Sequence, residues 1–97
     1  MLQDLLTKAK QDPSEANIQA LDVELNQTCK LEIKINPKMK TKVDRTHIRH
    51  NQIKIYKGIQ IIGDVIYLCY QSGIFGECMM WVDIMEISGL SGEQKKR

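Results

Sequence analysis

Asp44, His47 and His50 fall at i, i+3 and i+6, interleaved with Arg45 and Arg49. On a helical turn one carboxylate and two imidazoles at that spacing are neighbours and could hold zinc or nickel. Two histidines among cations could instead exchange protons on an RNA phosphodiester, with arginine or lysine stabilising the charge of the transition state. The residues around them favour neither chemistry. Positive neighbours oppose a bound cation, and no spacing marks one group as acid and another as base. The chain is therefore read as non-catalytic, with no cofactor and no metal.

The wider setting is more informative. Residues 30–57 carry nine basic side chains against Glu32 and Asp44, a formal charge of +7. Residues 1–29 hold two lysines and five acids, giving −3, and residues 58–92 hold four acids and neither Lys nor Arg, giving −4. A net charge of +2 over 97 residues conceals this segregation. A basic belt between acidic flanks suits a polyanion, and the expected contacts are Lys34, Lys38, Lys40, Arg45, Arg49, Lys54 and Lys57. The expected partner is nucleic acid or the acidic surface of a protein. Tyr56 is the belt's one aromatic residue, so a base-stacking platform is not indicated.

Helices and strands must position these groups. Leu2, Leu5, Leu6 and Ala9 recur at helical spacing, which predicts a helix over residues 1–11. Asp12-Pro13-Ser14-Glu15 reads as a second helix start, with Asp12 as cap, Pro13 in the first turn and Glu15 returning a bond. That helix passes through Ile18 and Leu21 and fades near residues 23–26. Residues 28–35 alternate, with Cys29, Leu31, Ile33 and Ile35 on one side, and predict a strand. A second strand over 39–43, joined by a three-residue loop, would pair Ile35 with Met39, Glu32 with Lys42 and Lys30 with Asp44. Lys34 and Lys40 then face each other at the tip, a like-charge pair that an anion would relieve.

From residue 53 a strand pattern resumes, with Ile53, Ile55, Ile59 and Ile61 on one side and Lys54, Tyr56, Gln60 and Ile62 on the other. Lys57 breaks the alternation, so either it reaches to solvent at an edge or Gly58 marks a bulge. Gly63-Asp64 predicts a two-residue turn that pairs Ile61 with Ile66, Ile59 with Leu68, Gln60 with Tyr67 and Gly58 with Cys69. A last strand over 78–87 would place Met80, Val82 and Ile84 with Leu68, and Met79 and Trp81 with Tyr67 and Cys69. Both faces of this sheet are apolar, so one is expected to close onto the first hairpin and the other needs the N-terminal helices or a partner. Tyr67, Met79 and Trp81 are the expected protein interface, and a homodimer through the sheet is one outcome.

The fold class is thus α+β, with one or two N-terminal helices and about five antiparallel strands that could roll into a small OB- or SH3-like barrel. One domain spans residues 1–92, and the polar residues from 89 onward are expected to fray, with 93–97 as a tail. Cys29, Cys69 and Cys78 are odd in number and set among apolar neighbours, which suggests buried, reduced thiols in a cytoplasmic protein. No apolar run reaches the ~18 residues of a membrane span, so no membrane partner is expected. The function expected is a small binding module for nucleic acid or another polyanion. The alternative is an inhibitor or adaptor, of the kind phages and other mobile elements encode, that docks on a larger protein.

Overall fold

The computed structural model describes residues 1–36, 54–72 and 78–95. The N-terminal periodicity forms helix α1 (Leu2–Gln11), which buries Leu2, Leu6 and Ala9 on one stripe. Helix α2 (Glu15–Asn26) buries Ile18, Leu21 and Leu25. Its start lies later than the Asp12-Pro13 signal implies. Asp12 instead ends α1, its N–H donating to the Lys8 carbonyl at 2.8 Å. Ser14, in extended conformation, is the cap: the Asn17 N–H donates to Ser14 Oγ at 3.3 Å. The ambiguous residues beyond Val23 remain helical because Leu25 continues the buried stripe.

Strand β1 (Thr28–Ile35) occupies the predicted residues. An irregularity between Thr28 and Lys30 turns Thr28 inward and leaves Cys29 exposed, which corrects the expected burial of that thiol. The partner of β1 is the C-terminal strand β5 (Ile87–Gln94), antiparallel, with Ile33 opposite Leu90 and Ile35 opposite Ile87. The frayed tail expected from residue 89 is therefore corrected to a strand as far as Gln94. A register shift opposite Lys34 and Ile35 inserts one extra residue, so Ile87 and Leu90 share the buried side at a spacing of three. Gly92 is required by close approach, because a Cβ there would lie 2.3 Å from the Lys30 carbonyl oxygen. Helix α1 holds β5 in place through two side chains: Gln3 Oε1 accepts the Leu90 N–H at 2.9 Å, and Lys10 donates to the Ile87 carbonyl. The expected strand over 39–43 and its pairings with β1 lie outside the described residues.

The second sheet has the order β2-β3-β4, from β2 (Lys54–Ile62), β3 (Val65–Ser72) and β4 (Cys78–Asp83). Around Gly63 the predicted register holds in full: Ile61 pairs with Ile66, Ile59 with Leu68, Gln60 with Tyr67 and Gly58 with Cys69. Gly63 itself has φ +61, the left-handed conformation such a turn needs. β4 is shorter than the strand expected over 78–87. Asp83 Oδ1 accepts the Met85 N–H at 2.9 Å and starts a single 3-10 turn, Ile84–Glu86, which carries the chain across to β5. The two sheets share no hydrogen-bonded ladder among the described residues, so the predicted barrel is not closed. The core lies between them and under the helices, with Leu6, Leu21, Leu25, Leu68, Tyr70, Val82 and Ile87 fully buried.

Candidate interaction surfaces

The three-stranded sheet carries large apolar side chains on both faces, with Gln60, Gln71 and Asp83 among those of the outer one, and the faces meet different surroundings. Its inner face, formed by Tyr56, Ile59, Ile66, Leu68, Tyr70, Met80 and Val82, packs into the core beneath the helices. On its outer face Trp81 lies opposite Cys69 and diagonal to Tyr67, and Met79 lies opposite Gln71. The expected interface residues are thus brought together: Tyr67 is half-buried, Met79 is 54 % exposed and Trp81 48 % exposed. Ile55 and Ile62 extend the same face and are also about half exposed.

Strict alternation misplaces Ile55, because the chain slips by one residue between Tyr56 and Gly58. Gly58 has φ +135, a conformation that favours glycine, and this is the bulge foreshadowed by Lys57. The slip puts Tyr56 on the inner side with Ile59 and sends Ile55 outward. It also buries Lys54, which is only 4 % exposed and so presents no ammonium to a phosphate. Burial lowers the Lys54 pKa, and the nearby Glu32 carboxylate partly opposes that shift. Inward rotation lets the Tyr56 O–H donate to Asp22 on α2. Burial raises the phenol pKa, and the hydrogen bond and negative charge of Asp22 reinforce it. Burial likewise raises the pKa of the Cys69 thiol, which makes that sulfur a poor nucleophile.

Of the basic belt, Lys34 is exposed on β1, with its aliphatic stem over Gly89, and Lys57 is exposed at the bulge. Lys38, Lys40, Arg45 and Arg49 lie outside the described residues, as do Asp44, His47 and His50. Lys30 forms an ion pair with Glu93 on β5, with Nζ 3.7 Å from the carboxylate oxygen. Glu32 accepts a hydrogen bond from Ser91 Oγ at 3.3 Å. Both contacts are solvent-exposed and contribute little to stability.

Among the described residues no group of three His, Cys, Asp or Glu side chains is placed to hold a metal ion. No helix among them is long and apolar enough to cross a membrane. What these surfaces offer is contact area and charge. None of the protein-family models, curated proteins or solved structures compared with the chain matches it.

Proposed function

We propose that this chain is a non-catalytic docking module that binds another protein through the outer face of β2-β3-β4. The observation that carries this reading is the set Ile55, Ile62, Met79 and Trp81, held about half exposed on one sheet face while the helices cover the other. Large apolar and aromatic side chains grouped on a rigid sheet are what interface centres are made of. Methionine adds a surface that adapts to its partner's shape. A small chain with such a face acts by occupying a surface of a larger protein, as an adaptor or an inhibitor.

The test is a pull-down from the native host after nuclease treatment, comparing the wild type with Trp81→Asp. One stoichiometric protein recovered by the wild type and lost with the variant is the expected result. Recovery unchanged by Trp81→Asp removes the outer face from the reading. Self-association that disappears in the variant would identify the partner as a second copy.

The charge of +7 over residues 30–57 favours a second reading, contact with nucleic acid or another polyanion through Lys34, Lys38, Lys40, Arg45, Arg49 and Lys57, without the buried Lys54. Its signature is affinity that falls linearly on a logarithmic salt scale. Undetectable binding to DNA and RNA at low salt ends it.

A further inference from the structure

Strand β2 is the edge of its sheet, and among the described residues it hydrogen-bonds only to β3. Helix α2 runs alongside, and an open groove of about 830 Å³ separates the two. Glu15, Ile18 and Asp22 line its helix side, and Lys57, Ile59 and Ile61 line its strand side. The Tyr56–Asp22 hydrogen bond ties the two walls together. Gly58, at the bulge, also lines the groove.

Several features identify what would fit. An edge strand offers N–H and C=O groups in series, and only another extended backbone pairs them in series. An open groove covers too little of a small molecule, whose sites enclose roughly 70–90 % of its surface. Ile59 is half-buried and Ile61 is 62 % exposed, so the strand side offers apolar contact at alternate positions. Two acidic residues, Glu15 and Asp22, and one basic residue, Lys57, line the groove, an acidic balance that favours a cationic side chain in the occupant. Residues 57 to 61 correspond to an extended segment of about five residues, roughly 17 Å long.

We infer that the groove between α2 and β2 takes an extended peptide of another protein, with apolar side chains at alternate positions and a Lys or Arg toward Glu15 and Asp22, by strand addition to β2. This site is distinct from the outer sheet face, and together the two surfaces would make the chain a bridge between two proteins.

The experiment selects displayed random dodecapeptides on the immobilised full chain, then measures the best synthetic peptide by calorimetry. Enriched peptides are expected to share alternating apolar residues and at least one Lys or Arg. Ile61→Asp and methylation of alternate peptide backbone nitrogens should each weaken binding at least tenfold. Glu15→Lys should weaken it severalfold, whereas Trp81→Ala should leave it within twofold. Glu15 and Ile61 are both exposed, so these variants keep the fold. No enrichment, or binding lost with Trp81→Ala and kept with Ile61→Asp, overturns the inference. Binding indifferent to backbone methylation does so too, as does a dimer of the free chain that Ile61→Asp dissociates.

Discussion

The inner and outer faces of the β2-β3-β4 sheet are built from the same strands and both carry large apolar side chains, yet one lies in the core and the other meets solvent. Leu68, Tyr70 and Val82 are fully buried, while Met79 and Trp81, alternating with Met80 and Val82 along β4, are about half exposed. Period-two patterning decides which side chains travel together. It does not decide which face the helices choose. Here α2 ties itself to one face, its Asp22 meeting Tyr56 on the inner side.

If the faces differ as described, truncation should separate them widely. Leu68→Ala removes a buried side chain at the centre of the inner face and should cost about 3 kcal/mol. For a domain of this size that corresponds to a fall in thermal midpoint of roughly 12–24 °C. A fall of only a few degrees would mean that the inner face is loosely packed and the contrast between the faces is false.

Tyr56→Phe comes next, because it deletes the hydrogen bond that links the inner face to α2. Asp22 is half-buried, so a loss of about 1.5–2 kcal/mol is expected in denaturant unfolding, in the lower part of the range for bonds to charged groups. An unchanged midpoint would leave apolar contact alone to fix α2 on the sheet.

How much of this was readable in the sequence depended on whether the period stayed intact. The Gly63 hairpin was legible pair by pair, because a tight turn leaves no freedom of register once one face must be buried. The same logic failed where a residue is inserted. At Gly58 the slip reversed Tyr56 and Ile55, and it turned Lys54 from an expected phosphate contact into a buried side chain. Residues from 89 onward suggested a frayed tail, because Ile87 and Leu90 are three apart and only a bulge puts them on one face. Pairing of β1 with β5 joins residues some sixty positions apart, and no local pattern carries that information. Tyr67, Met79 and Trp81 were legible as a group, but Ile55 was hidden from it by the bulge and the α2–β2 groove by its dependence on tertiary packing.

Lys54→Met tests whether the bulge buries that lysine. Its pKa in the fold lies below the unfolded value near 10.5, so the unfolded chain binds the proton more tightly. Wild-type stability should therefore rise, relative to the variant, as pH increases from the lowered folded pKa toward 10.5, and below that window the difference should be constant. Denaturant midpoints of both proteins between pH 7 and 10.5 read this difference directly. Parallel curves across the whole range would place the ammonium in water.

The smallest effect on stability is expected from Trp81→Ala. About half of this side chain already meets solvent, and its neighbours Cys69 and Tyr67 sit on the same strand pair, so its removal opens no enclosed cavity. A change below about 1 kcal/mol is expected, against about 3 kcal/mol for Leu68→Ala one strand away. A functional face is distinguished from an incidental one by the opposite ranking in association. Trp81→Ala should abolish recovery of the protein partner while the thermal midpoint moves by only a few degrees, because interface energy concentrates in a few aromatic anchors. If Trp81→Ala instead destabilises the fold as much as Leu68→Ala, tryptophan is a core residue, and the two faces differ only in how far the core extends.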